Sequence, residues 1–257
     1  MLFTLTTDFG AGSGYPAQVK GVLLSAVPGA AVVDVSHEVP RHDVLAGALL
    51  LEATLPWFPA EAIHLAVVDP GVGTARRALC VRDGNGRTFL APDNGLLTPF
   101  LGEGARAVAI EPGRAVPAPR SATFHGRDLF APAAAFVARG GEPGALGPAV
   151  ADPVRLSWPA AERRAGEIVG ETLGADPFGN LVTSIREGDL AGAAVAGVEA
   201  GGRPARWVRT YGEAGPGELL ALVGSGGRLE IAVREGSAAA VLGKIRGLAV
   251  RVAIGRS

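Results

Sequence analysis

The chain has a single cysteine, Cys80, so it cannot form an internal disulfide. That cysteine lies in the apolar run ALCV (78–81), which contains no basic residue to lower a thiol pKa, and it reads as packing rather than as a nucleophile. An excess of one charge is also missing: 24 Lys and Arg stand against 25 Asp and Glu, for a net charge of −1, and the basic residues are scattered. The electrostatic footprint of a nucleic-acid or anionic-membrane binder is therefore absent, which leaves a small molecule as the expected partner. Only Lys20 and Lys244 are lysines, a compositional bias without chemical meaning. No stretch reaches the ~18 uninterrupted apolar residues of a membrane span. The best candidate, VLAGALLLEATLPWF (44–58), is broken by Glu52. The start, MLFTLTTDFG, has no basic n-region and meets Asp8 early, so no signal peptide is expected and a cytoplasmic location is. Metal-ligand spacings such as H-x-x-x-H or C-x-x-C do not occur. A metal held by Asp8, His37, Asp69 and His125 is conceivable but not favoured, and no cofactor is expected.

What the chain does have is apolar surface: 48% of its 257 residues are hydrophobic, enough for two folded domains. Its first half alternates strand-like and helical patterns. LFTLTT, AAVVDVS and AIHLAVVD read as strands, separated by YPAQVKGVLLSAV and HDVLAGALLLEATLPWF as helices. That alternation predicts an α/β domain over 1–150 with a mainly parallel sheet. A Gly- and Pro-rich stretch without period follows, with the linker placed at 151–165. Over 166–257, short alternating runs such as NLVTSI, ELLALVG, GRLEIAV and LAVRVAIG, separated by glycine turns, predict an antiparallel β-barrel interrupted by one helix, SAAAVLG.

Ligands of parallel α/β sheets bind beyond the carboxyl ends of the strands. The first three strands end in TTDFG, DVSHE and VVDPGVG, which puts acids, hydroxyls and a histidine at that edge. Asp8 suits a pair of vicinal ribose hydroxyls, or else a turn or cap. Asp69 and Arg76 suit an ion pair, structural or functional, and His125 in FHGRD stands at a strand-to-helix turn where Gly126 leaves room beside the ring. His37 reads as a structural hydrogen-bonding residue, His42 as a helix start or a flat pocket wall, and His64 as core. In DPFGN, Asp176, Phe178 and Asn180 offer an acid for an ammonium, a ring for a purine and an amide for a base edge; a turn with a core Phe fits equally.

Taken in order, TLTTDFG, VSHEVPRHDVLAGA, VVDPGVGTARR, LAPDNGLLT, TFHGRDLFAPAAA, DPFGNLVTSI and GRLEIAV resemble the S-adenosyl-L-methionine (SAM) hydroxide adenosyltransferases, the adenosine-forming SAM hydrolases related to the SAM-dependent fluorinase and chlorinase. The resemblance runs from about residue 2 to 254. It implies an N-terminal α/β domain, a C-terminal β-barrel, and a homotrimer that holds SAM between the N-domain of one subunit and the C-domain of its neighbour. It also implies roles: Asp8 for the ribose hydroxyls, Asp69, Arg76 and His125 at the water site, Asp176 for the methionine ammonium, Phe178 and Asn180 for adenine, and Ser225 near the methionine end. His42 stands where the fluorinase has a pocket tryptophan, Asp69 where it has a tyrosine, and Gly126 where it has the serine that helps hold fluoride. The last two favour water over halide. The place after Ser225, an arginine in the fluorinase, is Gly226 here, with Arg228 two positions on.

The implied reaction is attack of water on the ribose C5′, releasing adenosine and L-methionine. A sulfonium leaves as a neutral thioether and needs no protonation, so the work falls on the nucleophile. Asp69 is expected to orient the water and His125 to be the better proton acceptor. The alternatives are a chlorinase-like halogenase, a non-enzymatic SAM or adenosine binder, and a metal-dependent hydrolase.

Overall fold

The computed structural model describes residues 1–158 and 160–255. Two compact units divide the chain, Met1–Leu156 and Ser157–Ser257.

The first unit is built on a mixed sheet. Its strands are β1 (Leu2–Thr7), β2 (Ala31–Ser36), β3 (Ile63–Val67), β4 (Ala78–Arg82), β5 (Thr88–Pro92), β6 (Arg106–Ala109) and β7 (Ala149–Val150), in the order β2-β1-β3-β5-β4-β6-β7. The pairs β1–β2, β1–β3 and β3–β5 are parallel, as the strand–helix alternation predicts. From β4 onward the sheet continues antiparallel: the tight turn at 83–87 joins β4 to β5, and β6 and β7 add beyond β4. Helices α1 (Tyr15–Ala26) and α2 (Val44–Thr54) make the first two crossovers, and α3 (Ala131–Ala138) follows a π-helical turn at Gly126–Phe130. Phe3 and Leu5 of β1 and Ile63, Leu65 and Val67 of β3 pack with Val19 and Leu23 of α1 and Ala131, Ala133 and Ala134 of α3 in one core. On the alternate positions Thr4 Oγ1 lies 2.8 Å from His64 Nδ1, and His64 is fully buried beside Phe89. Asp43 caps α2, its Oδ1 accepting from the Ala46 N–H at 2.9 Å, so the cap is the residue after His42.

Register decides what reaches the functional edge. Thr7 pairs with Val67 and Thr6 with Ser36, so Asp8, Val68 and His37 leave the sheet side by side. Further along, the Val154 N–H donates to Asp93 at 2.7 Å, and Arg155 bridges to Gly95, tying the Gly- and Pro-rich segment to this unit.

The second unit holds β8 (Glu162–Arg164), β9 (Glu167–Ala175), β10 (Leu181–Arg186), β11 (Ala194–Ala200), β12 (Arg203–Trp207), β13 (Leu219–Val223), β14 (Arg228–Val233) and β15 (Ala249–Gly255), with the short helices α4 (Glu187–Leu190) and α5 (Ala238–Leu242). Strands β9-β10-β14-β13-β12-β11-β15 close into a seven-stranded barrel through the β10–β9 and β15–β9 pairings, and β8 flanks β9. Closure removes the edges that an open sheet would expose. One pairing departs from the antiparallel expectation: β12 and β13 run parallel, because the connection 208–218 returns the chain to its starting end before β13 begins. Ile168, Leu181, Ile185, Val198, Leu229, Ile231, Val250 and Val252 fill the interior. The helix read in SAAAVLG is α5, capped by the Ser237 hydroxyl and ended by Gly243 at φ 67°.

Candidate active site

Beyond β3 the chain reverses twice within eight residues. The Val72 N–H donates to the Asp69 carbonyl at 3.3 Å and the Thr74 N–H to the Gly71 carbonyl at 3.1 Å. Gly73 sits at φ 78°, and a β-carbon there would stand 2.9 Å from the Ala122 carbonyl oxygen, so no larger residue fits the second reversal. The Thr74 hydroxyl donates to Gly71 O at 2.7 Å and accepts from the Arg76 N–H at 3.3 Å. From the other side the Asn94 amide donates to Val68 O at 2.8 Å and fixes the strand end.

These turns bring Arg76 back onto Asp69. Arg76 Nε is 3.0 Å from both carboxylate oxygens, and Nη2 donates to Oδ2 as well. Both side chains are nearly buried, at 10% and 5% exposed, and the guanidinium lies 5.5 Å from the Phe130 ring centroid. The same Nη2 is 2.9 Å from His125 Nδ1. A guanidinium only donates, so Nδ1 accepts, and the neutral ring carries its proton on Nε2. Burial, and then the Arg76 charge, hold His125 below the ordinary histidine range. Asp69, Arg76 and His125, separated by up to 56 positions in sequence, thus form one hydrogen-bonded set.

His125 immediately precedes the π-helical turn, a rare local geometry that re-aims side chains. The sequence reading of open space beside Gly126 is corrected here. A β-carbon on Gly126 would lie 3.2 Å from Phe9 Cζ and 3.4 Å from the Phe124 ring, so two aromatic walls occupy that space.

Asp69, His125 and Gly126 line a pocket of about 290 Å³ together with Asp8, Phe9, Tyr15, Arg41, His42, Val67, Val72, Thr123 and Phe124. Phe9, Tyr15 and Phe124 pack edge to face, with centroids 5.2–6.0 Å apart. Asp8 Oδ2 accepts from the His42 N–H at 2.9 Å, and His42 holds a left-handed backbone, φ 63°, unusual for a residue with a side chain. Of the site residues read in the first half, Asp8, His42, Asp69 and His125 line one pocket, and Arg76 holds Asp69 and His125 from behind it. The aromatic walls and Arg41 were not singled out; the sequence signal was the aromatics Phe9 and Tyr15 flanking a glycine-rich loop. His37 does not face the pocket as a metal ligand, since its Nδ1 is 2.8 Å from Thr7 Oγ1 and its Nε2 3.0 Å from Asp34 Oδ1. Among the described residues, no three of His, Cys, Asp and Glu gather as a ligand set.

In the second unit Asp176 organises its own turn. Its Oδ1 accepts from the N–H groups of Phe178 and Asn180, and Oδ2 from the Asn180 amide, each at 2.9 Å. The turn leaves the Phe178 ring 79% exposed while Asn180 is buried. Ser225 and Gly226 are exposed in the β13–β14 turn. Arg228 is turned away from that turn: it is buried, donates to Thr183 O at 3.2 Å and lies 5.4 Å from the Trp158 ring centroid. Nearby, the Tyr211 hydroxyl donates to Glu230 at 2.9 Å, and burial raises the Glu230 carboxyl.

A mixed α/β unit with an acid, arginine and histidine set at its strand ends, followed by a seven-stranded barrel, matches one known family along most of its length. The family model described as SAM hydroxide adenosyltransferase N-terminal domain matches residues 3–147, and the corresponding C-terminal domain model matches residues 170–251. The chain belongs to the SAM hydroxide adenosyltransferase family. It is 44% identical over 256 residues to the (R)-S-adenosyl-L-methionine hydrolase of Thermus thermophilus, covering 96% of this chain and 97% of that one. A fluorinase of Actinoplanes sp. is 30% identical over 222 residues, covering 76% and 74%. The crystal structure of an uncharacterized conserved protein from Thermotoga maritima superposes with a TM-score of 0.87 at 33% identity, covering 98% of this chain and all of that one.

Proposed function

We propose that the protein hydrolyses S-adenosyl-L-methionine to adenosine and L-methionine by attack of water on the ribose C5′. The observation that carries this reading is the Asp69–Arg76–His125 set, whose acid and histidine line a pocket that also holds Asp8. Asp8 takes the ribose 2′- and 3′-hydroxyls, leaving C5′ directed toward Asp69 and His125. As the O–C5′ bond forms, the C5′–S bond breaks, its electron pair returns to sulfur, methionine leaves neutral, and the proton that the water loses passes by way of Asp69 Oδ1 to solvent.

The hydrogen-bond pattern assigns the nucleophile's partners. His125 Nδ1 is taken by Arg76, and a proton placed there would face a guanidinium. This argues against His125 as the acceptor favoured by the sequence reading; its Nε2–H suits donation to the water oxygen. Among the described residues Asp69 Oδ1 accepts only the Arg76 Nε–H and keeps a lone pair for the water proton. Asp69 and His125 align the water and stabilise its hydroxide character as the bond forms. A halide in the same place would meet the oxygens of an ionised carboxylate, and the higher identity to the hydrolase than to the fluorinase points the same way.

Among the described residues, the pocket lined by Asp69 and His125 holds no side-chain amide. That supports a homotrimer in which Asp176, Phe178, Asn180 and Ser225 of the second unit supply the adenine- and methionine-binding groups to a neighbour's pocket. The Asp176 oxygens already serve their own turn, so the ammonium shares them with backbone N–H groups. SAM is the substrate, no cofactor takes part, and the site of action is the cytoplasm; no helix among the described residues is long and apolar enough to cross a membrane. The relatives' name directs the reading to the (R) sulfonium epimer. Incubation of the purified protein with each SAM epimer, with and without chloride, tests it. Adenosine and methionine from (R)-SAM in both buffers are expected. A 5′-chloro nucleoside, or intact SAM, would overturn the reading.

A further inference from the structure

Two buried histidines take no part in the proposed chemistry, His64 in the core and His37, 7% exposed, at the end of β2. His37 is the hub of a polar chain running from the surface to the residue before Asp8. Lys20 Nζ donates to Asp34 Oδ2, and Asp34 Oδ1 faces His37 Nε2 at 3.0 Å. His37 Nδ1 is 2.8 Å from Thr7 Oγ1, and that oxygen also accepts the Phe9 N–H at 3.2 Å. Thr7 Oγ1 thus joins the His37 ring to the backbone of the loop that follows β1. The backbone of the same residue grips the loop again, with the His37 carbonyl accepting from the Gly10 N–H at 2.8 Å. His37 therefore holds residues 7 and 10 at once, and Asp8 and Phe9 are the two positions between.

We infer that His37 is a positioning residue for the ribose site, setting through Thr7 and Gly10 the backbone from which the Asp8 carboxylate reaches the hydroxyls and the Phe9 ring walls the pocket. This inference rests on the reading of Asp8 as the ribose acid. The geometry separates it from general packing. The side chain bonds a strand-end hydroxyl and not another core group, and the loop it grips carries one pocket acid and one pocket wall. Loss of the His37 side chain frees the loop at Thr7, while the backbone bond to Gly10 remains, and Asp8 loses orientation as the Asp69–Arg76–His125 set, carried on other segments, stays in place. The defect is one of ribose binding and not of water attack.

The test is calorimetric binding of adenosine and of 2′,3′-dideoxyadenosine, which lacks both hydroxyls, to the full chain and to His37→Ala, His37→Asn, Thr7→Val and Asp8→Asn. Loss of one orienting hydrogen bond is expected to weaken adenosine by about tenfold in His37→Ala and Thr7→Val. Binding of the dideoxy nucleoside is expected to stay unchanged. Thr7→Val keeps the side-chain shape and removes the hydroxyl, so it gives the same pattern without opening a cavity. His37→Asn keeps a polar atom at the Nδ1 position and recovers most of the affinity. Asp8→Asn and the Asp8→Asn/His37→Ala double variant are expected to bind equally, because the second change acts only through the first. In turnover of SAM, KM rises by about tenfold with kcat within about twofold. Equal weakening of both nucleosides, or additive losses in the double variant, would reduce His37 to a fold-supporting residue and overturn the inference. Adenosine binding by the unaltered chain with no effect of His37→Ala would overturn it alone. Absence of adenosine binding by the unaltered chain would overturn the underlying reading, and this inference with it.

Discussion

Arg76 Nη2 lies 2.9 Å from His125 Nδ1 while the same guanidinium spans both oxygens of Asp69. One donor-only group thereby fixes the position of an acid and the tautomer of an imidazole. Arg76→Lys retains the charge but has neither the fork nor the reach to serve both partners. A fall in kcat of about tenfold or more is expected, with KM little changed, as measured by steady-state adenosine release.

Asp69→Ala leaves a guanidinium that is only 10% exposed without its counter-charge. Breaking a buried pair from one side costs about 3 kcal/mol or more, so this variant is expected to lose stability as well as turnover. Denaturant titration beside activity assays checks both, and an Asp69→Ala protein as stable as the parent would contradict the burial argument.

The pH dependence follows from His125. Burial and then Arg76 hold its pKa below the ordinary value, so the ring is neutral through the neutral range. The pH–kcat profile is expected to be flat there and to fall only on the acid side, below the usual histidine range, where a proton on Nδ1 displaces Arg76. An acid limb centred at or above the ordinary histidine pKa would show that the Arg76 contact is not made.

Much of this is legible in the sequence. Alternation of strand and helical patterns gave the parallel half of the first sheet, and glycine-punctuated runs gave the barrel. The parallel β12–β13 pair was not legible, because nothing in residues 203–223 encodes the path of the connection between two strands of ordinary pattern. Strand-end polar residues marked Asp8, Asp69 and His125. The role of Gly126 was misread since a missing side chain looks the same in sequence whether water or a neighbouring ring fills the space, and here Phe9 fills it. Nor could spacing tell which nitrogen of His125 is engaged, which depends on a contact between residues 49 positions apart.

Gly126→Ser follows from that correction. Its side chain would press on Phe9 and Phe124, so the variant is expected to raise KM for SAM and to form no 5′-halo nucleoside in chloride or fluoride. Product analysis by mass spectrometry decides it.

His64 supplies an acid-stability test remote from the site. Burial, and then the Arg87 charge, lower its pKa from 6.5 to about 4. The unfolded chain therefore takes up a proton that the folded one refuses as pH falls through that window. Stability is present in full above 6.5 and declines toward pH 4, by up to about 3 kcal/mol. Urea unfolding of His64→Phe is expected to show a shallower decline over the same window.

The central claim is that water, aligned by Asp69 and His125, attacks C5′. Its most direct test is turnover of (R)-SAM in ¹⁸O-enriched water, with mass analysis of the adenosine formed. One ¹⁸O in the 5′-hydroxyl, and loss of that product in Asp69→Ala, is the predicted result. Unlabelled adenosine, or a nucleoside carrying another group at C5′, would contradict the account.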